Sequence, residues 1–286
     1  MCVLLRTPAS ADAAGAIEEK MAVVDGKARF LQVGNLAVEI HVSPKSMGEA
    51  AALATADTMK KLGALQESLG VIFATGASQL DTLGALTRIE GIPWDRVRGV
   101  HLDEYVGLPA EHFASFRRYL RENLAKKIDM KEFYEIDGTA MEPDRICRLY
   151  AEVLRAANPQ LCLLGIGENG HLAFMDPAVA DFNDPQDVKV VTLDADCRAQ
   201  QVAEGWFTNP AEVPDQAISM TIPAILRVPK LIVSVPGARK AAIIRRTLEE
   251  AISTRCPATI LRTHPDVTLY LDEESASELD GFAPQS

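Results

Sequence analysis

Residues 161–171 read LCLLGIGENGH: an uninterrupted apolar run from Leu161 to Leu164, a turn with glycines at 165, 167 and 170, and then His171. A strand with one wet face alternates apolar and polar residues, so a run that is apolar throughout predicts a strand covered on both faces. The glycines mark where the chain leaves the sheet. Cys162, inside the run, reads as a small core residue.

The same pattern recurs on either side. VIFAT (71–75) stops at Gly76, VRGVHL (97–102) ends at Asp103 and Glu104, and KLIVSVPG (230–237) ends in another glycine turn. VKVVTL (188–193) and VTLYLD (267–272) predict two further strands, and VEIHVS, from Val38, has the alternation of another. AISM (217–220) is too short to assign. Between these runs, helical patterns cover 46–62 (with Ser43 or Ser46 as cap), 78–89, 114–126, 142–157 and 238–251. Strands alternating with helices predict an α/β fold, a mostly parallel open sheet with helices on both faces. Residues 1–35 are Ala-rich and weakly patterned and read as an N-terminal extension of uncertain order. Residues 36–286 read as a single domain, with PAVADFNDPQD (177–187) as a long irregular loop.

Composition narrows the function. The 286-residue chain is 48% hydrophobic and 24% charged, with a formal net charge of −11. That charge is a poor match for nucleic acid or an anionic membrane surface, although a local pocket can still hold a small anion. The five cysteines, Cys2, Cys147, Cys162, Cys197 and Cys256, form no CxxC pair, which excludes zinc-knuckle and thioredoxin-like motifs and suggests reduced thiols. The apolar run at the N-terminus is too short for an export signal, and no segment has membrane length, so a cytoplasmic protein is expected. His101–Asp103 and His171–Asp176 lack the spacing of a metal motif, and no metal is expected.

In an open parallel sheet, ligands bind beyond the carboxyl ends of the strands. Four segments belong at that edge: ATGAS (74–78), HLDEY (101–105), GIGENGH (165–171) and PGARK (236–240). Taken singly, ATGAS is equally an ordinary glycine turn with a serine cap, and HLDEY equally a solvated strand end. Together they bring chemistry to one crevice. Thr75, Gly76, Ala77 and Ser78 offer hydroxyls and free N–H groups to an anion, without the lysine of a Walker loop or the GxGxxG spacing. Asp103 sits where a general base would, and Glu104, of opposite strand parity, points away. His171 follows three glycines and is preceded by Glu168 and Asn169. Lys240 lies in the first turn of a helix, where a cation opposes the dipole; a bound phosphate would remove that conflict.

VHLDEYVGLPAEHFASFRRYLRENL (100–124) and LLGIGENGHLAFMDP (163–177) resemble the two signature segments of glucosamine-6-phosphate deaminases. TGAS (75–78), the Arg198 of DADCRAQQ (194–201), PGARK and CPATILRTHP (256–265) fall in matching order, so the resemblance spans residues 36–275. The related 6-phosphogluconolactonases share the fold, but Tyr105 and the LAF sequence favour the deaminase branch. The resemblance implies a Rossmann-like sheet, a phosphosugar substrate and a reaction with neither metal nor cofactor. In that reaction the hexosamine ring opens, a base moves the C2 proton to C1, and the ketose imine is hydrolysed to fructose 6-phosphate and ammonia. It makes Asp103 the proton carrier and His171 the ring-opening group, with Asn169 and Asp176 in the same catalytic set. It assigns the phosphate to Thr75, Gly76, Ala77, Ser78, Arg198 and Lys240, and places Gly167 among the substrate-binding residues.

Three departures stand out. Asn169 occupies a position where deaminases often have Asp. Met175–Asp176 replaces an Asn-Glu pair and shortens the carboxylate by one methylene. The loop at 177–191 lacks the basic residues of the allosteric enzymes, which speaks against activation by an acetylamino sugar phosphate. A lactonase-type hydrolase using His171 to activate water and a non-catalytic sugar-phosphate sensor are the competing readings. Which hexosamine phosphate is used, and whether the chain forms a homo-oligomer, the sequence leaves open.

Overall fold

Each apolar run read as a strand is one in the computed structural model, which describes residues 22–24 and 28–280. The strands are β1 (Ala22–Val24), β2 (Ala28–Val33), β3 (Leu36–His41), β4 (Leu69–Phe73), β5 (Val97–His101), β6 (Asp103–Tyr105), β7 (Glu132–Phe133), β8 (Pro159–Leu164), β9 (Val188–Thr192), β10 (Gln216–Met220), β11 (Lys230–Val235) and β12 (Val267–Asp272). The helices are α1 (Pro44–Leu65), α2 (Leu80–Leu86), α3 (Phe116–Asn123), α4 (Pro143–Ala157), α5 (Ala195–Ala203), α6 (Ile222–Leu226) and α7 (Ala241–Glu249).

Among the described residues, nine strands form one sheet in the order β1-β2-β3-β12-β11-β8-β4-β5-β7. From β3 to β7 every pairing is parallel, and only the β1–β2–β3 edge is antiparallel. The alternation of strand side chains splits the core into two layers. Val71, Phe73, Leu161, Leu163 and Ile232 pack with Met47, Leu83 and Leu120 of α1, α2 and α3. Ile72, Cys162, Leu164, Leu231 and Val233 pack with Tyr150, Ile225 and Ile243 of α4, α6 and α7. The mostly parallel open sheet with helices on both faces is the expected fold.

Two expectations need correction. The sheet starts upstream of residue 36: β1 and β2 lie inside the stretch set aside as an extension, and β2 pairs with β3 along its whole length. The rest of that stretch, 1–21 and 25–27, falls outside the described residues. VKVVTL does not join the large sheet. As β9 it flanks β10, the unassigned AISM, in a separate antiparallel sheet of order β6-β10-β9. This small sheet matters because β6 carries Asp103, whose Cα partner on β10 is Ser219. The loop at 177–187 has no helix or strand, as expected. No helix among the described residues is long and apolar enough to cross a membrane.

Candidate active site

β11, β8 and β4 are neighbours, so the turns that follow them stand side by side at the carboxyl edge. The outer two are built alike. After β4, Gly76 at φ +93° leads into a 3-10 turn (Ala77–Gln79) and then α2; after β11, Gly237 at φ +92° leads into a 3-10 turn (Ala238–Lys240) and then α7. Positive φ is open to glycine and strained for other residues. The turns enclose a cleft of about 310 Å³. Thr75, Gly76, Ala77, Ser78, Asp103, Gly167, His171 and Lys240 all line it. The segments singled out in the sequence therefore meet at one place.

Asp103 faces this cleft and is 6% exposed. Burial, and then the charge of Glu104, push its carboxyl well above the ordinary Asp value. Its backbone is braced by His101, whose Nδ1 lies 2.9 Å from Asp103 O while Nε2 accepts from the Ile136 N–H at 2.9 Å. The acceptor at Nδ1 and the donor at Nε2 fix a neutral ring with its proton on Nδ1. Burial lowers the pKa of that ring to about 3. Glu104 points the other way, as its strand parity requires. Fully buried, it accepts from Ser115 Oγ at 2.8 Å, from the N–H groups of Tyr105, Phe116 and Arg117, and from Arg117 Nε at 3.3 Å.

His171 is held from behind. Its Nδ1 lies 2.8 Å from Asn169 Oδ1 and 2.9 Å from Asp176 Oδ1. Both neighbours are acceptors, so Nδ1 carries the proton and, in the neutral ring, Nε2 keeps a free lone pair. Asn169 Nδ2 in turn donates to Asp176 Oδ1 at 2.9 Å and to Asp194 Oδ2 at 3.2 Å. Burial alone would raise the Asp176 carboxyl. The hydrogen bond and charge of His171, with Asn169 and the Asp194 N–H, outweigh it and hold that carboxyl below the ordinary value. The shorter Asp side chain at 176 thus reaches the ring. Asn169 and Asp176 support His171 without lining the cleft. Gly167 packs against the ring: a Cβ there would lie 2.1 Å from His171 Cε1.

His171, Asp176 and Cys197 form the one group of possible metal ligands found among the described residues, with ligand atoms within 4.8 Å of one another. The Nδ1 to Oδ1 distance of 2.9 Å is that of a shared proton.

Lys240 is 7% exposed and donates to Ile166 O at 2.9 Å. Burial pushes its ammonium below the ordinary lysine value, and the charge of Glu204, followed by that of Glu168, opposes the shift. Arg198 is not brought to the cleft. It does not line the cleft: its Nη1 pairs with Asp215, and its Nε is buried without a hydrogen-bond partner. The nearest additional cation is Arg239, which lines the cleft beside Lys240 and reaches Glu168 at 3.4 Å.

Sequence reading missed Gln200, Gln201 and Glu204, which form the α5 wall of the cleft. Gln200 accepts the Glu168 N–H at 2.8 Å and donates to Glu204 at 2.7 Å, and Gln201 accepts the Tyr105 hydroxyl at 2.8 Å. The signal was the polar triplet itself, with Gln200 and Glu204 spaced i, i+4 on one helix face.

Residues 42–270 match the family described as glucosamine-6-phosphate isomerases/6-phosphogluconolactonase. The chain is 35% identical over 220 residues to a glucosamine-6-phosphate deaminase of Exiguobacterium sibiricum, covering 77% of this chain and 85% of that one. It is 36% identical over 205 residues to the deaminase of Bacillus thuringiensis, covering 71% and 76%. A solved monomeric glucosamine-6-phosphate deaminase superposes with a TM-score of 0.78 at 30% identity, covering 84% of this chain and 99% of that one. A 6-phosphogluconolactonase from Trypanosoma brucei shares the fold, with a TM-score of 0.70 at 20% identity over 87% and 99%. With its cleft, turns and sheet order accounted for, the chain belongs to the glucosamine-6-phosphate isomerase/6-phosphogluconolactonase family.

Proposed function

We propose that the protein is a cytoplasmic glucosamine-6-phosphate deaminase, converting a hexosamine 6-phosphate to fructose 6-phosphate and ammonia. The observation that carries this reading is the placement of Asp103. A buried carboxyl with a raised pKa faces a cleft whose other walls include His171 and the two glycine turns. That arrangement suits proton transfer between adjacent carbons, which needs one carboxyl group held close to both carbons and shielded from water.

The N–H groups and hydroxyls of Thr75–Ser78, with Lys240, hold the phosphate and so fix the far end of the sugar. His171, its Nδ1 proton held by Asn169 and Asp176, relays the proton between the C1 hydroxyl and the ring oxygen as the ring opens. Asp103 then takes the C2 proton and returns it to C1. The resulting C2 imine is hydrolysed by water, which leaves the C2 carbonyl and releases ammonia. The deaminases similar in sequence along most of this chain support the reading; the lactonase, at 20% identity, speaks only to the fold.

The test is to incubate the protein with glucosamine 6-phosphate, galactosamine 6-phosphate and 6-phosphogluconolactone, measuring ammonia and acid release. Ammonia from an amino sugar phosphate, with C2 hydrogen exchange in deuterated water, is the expected result. Acid release from the lactone alone would make the protein a hydrolase, and binding without turnover a sensor.

A further inference from the structure

Glu204 is a carboxylate on the wall of a cleft that is read as holding an anion. It caps the C-terminus of α5 and is followed by Gly205 at φ +83°. Its side chain is fixed: Oε1 accepts from Gln200 Nε2 at 2.7 Å and Oε2 from Trp206 Nε1 at 3.2 Å. An ionised carboxylate has about four lone-pair sites, so each oxygen keeps an acceptor position beyond these two bonds. Glu204 lines the same cleft as Gly76 and Lys240. Its charge acts on Lys240 and on Tyr119, whose hydroxyl donates to Gly76 O at 2.9 Å. The Tyr119 ring meets the Trp206 ring edge-on at 6.0 Å.

Carboxylates face both cations at this end: Arg239 reaches Glu168 at 3.4 Å, and the charges of Glu204 and Glu168 act on Lys240. A phosphate monoester has a second pKa near 6 and carries about −1.5 to −2 at pH 7. Its dianion offers only acceptors and would meet Glu204 as acceptor against acceptor, like charge against like. The monoanion carries one hydroxyl. A proton between the two groups turns the repulsion into a charge-assisted O–H···O⁻ hydrogen bond.

We propose that Glu204 is a specificity-determining residue that selects the singly protonated phosphate of the substrate by accepting its hydroxyl proton. This rests on the deaminase reading above. It gives the enzyme a preference among anions that the glycine turns and Lys240 alone would not supply, because those bind most strongly to the ion with the most charge. The groups around Glu204 and across the cleft from it that titrate or carry charge are Lys240 and Arg239 on the turn after β11, Glu168 and His171 on the turn after β8, Tyr119 on α3, Asp103 and Tyr105 on β6 and Cys197 on α5. Burial, first among the causes, raises both tyrosines and Cys197 above their ordinary values, so none of them ionises near neutrality. Lys240 is lowered, and its titration would weaken any anion.

The experiment compares glucosamine 6-phosphate with glucosamine 6-sulfate, whose ester group is a monoanion with no proton to donate, between pH 6 and 8 in wild type and Glu204→Gln. In wild type, KM for the phosphate should rise tenfold or more across this range, and the sulfate should bind at least tenfold more weakly than the phosphate at pH 6. KM for the sulfate reports every titration the two esters share, those of the substrate amine, Lys240 and Asp103 included, since the charge of the sulfate group itself is constant. In Glu204→Gln, whose amide can donate to either ester, the phosphate slope should flatten, KM at pH 8 should fall about tenfold, and the discrimination against sulfate should vanish. An unchanged slope, or a higher KM at pH 8 in the variant, would overturn the proposal while ammonia release still supported the deaminase. If wild type releases no ammonia from any ester, the functional reading fails instead. Calorimetric titration of the same two esters at pH 6 and 8 then decides the role of Glu204 alone.

Discussion

His171 Nδ1 lies 2.9 Å from Asp176 Oδ1, and Asn169 bridges the same two groups, accepting from the ring and donating to the carboxylate. Asp176→Asn should therefore lower kcat by about 10²–10⁴-fold, because the ring loses the charge that stabilises its protonated form, with KM little changed. Asn169→Asp should lower turnover too. It replaces an N–H donor to Asp176 and Asp194 by a third carboxylate, so like charges would crowd the ring. Steady-state kinetics on the two variants checks both. A gain of more than about tenfold in Asn169→Asp would show that the amide limits the enzyme.

Asp103→Asn should abolish ammonia release and C2 hydrogen exchange while keeping substrate binding, at a cost of about 10²–10⁴-fold. The base must be ionised, so activity rises as pH rises through the elevated pKa of Asp103, and the acid limb of kcat/KM should lie above the ordinary carboxylate range. The sign for stability is opposite. A raised folded-state pKa contributes stability below the unfolded value that is lost as pH rises through the folded one. Asp103→Asn should accordingly melt higher than wild type at pH 8, which a thermal scan at two pH values measures.

Lys240→Ala should raise KM for the phosphorylated substrate tenfold or more, since a charge-assisted hydrogen bond contributes about 1.5–3 kcal/mol. Arg198→Ala should leave KM within about twofold, because its guanidinium pairs with Asp215 and does not line the cleft. Equal losses in the two variants would return Arg198 to the site.

Glu104→Ala should destabilise the fold by about 3–5 kcal/mol in urea titration, leaving the buried Arg117 guanidinium without its main counter-charge. Asp137, which also pairs with Arg117, is more than half exposed and cannot take over that role.

Gly167→Ala should cut turnover by roughly 10²-fold, because its Cβ would stand where the His171 ring now lies and even a shift of about 1 Å at a reacting group is costly. A folded variant with normal turnover would mean that the ring tolerates displacement.

The large sheet was legible because Leu161–Leu164 and its neighbours are buried on both faces and so apolar throughout. Asp103 and Lys240 were legible because each sits at the end of such a run. α5 was not, and the reason is physical. Its buried residues are Cys197, Gln200 and Gln201, so no apolar stripe marks the inward face. The glutamines are buried because they bond the Glu168 N–H and the Tyr105 hydroxyl, contacts that exist only after folding. Arg198, on the same helix, was placed by its order in a shared pattern, and that order does not say which side of the helix it faces. β2 was passed over because only Val33 of its six residues is buried, which left no periodic signal.

Asp103 and the two glycine turns stand on different sheets. Asp103 belongs to β6 in the small sheet, and Gly76 and Gly237 end strands of the large one. Tyr105, Phe116 and Phe174 pack as a wedge beside the cleft, with ring centroids 5.0–5.6 Å apart. Phe116 and Phe174 of this cluster line the cleft, so on the proposed assignment they should help set how many carbons span from the phosphate to the group that moves the proton. Thinning the wedge, as Phe116→Leu would, should shift the preferred chain length of the substrate before it changes the chemistry. Relative kcat/KM for five- and six-carbon amino sugar phosphates would show the shift, and an unchanged ratio would mean that the spacing is set by the strands themselves.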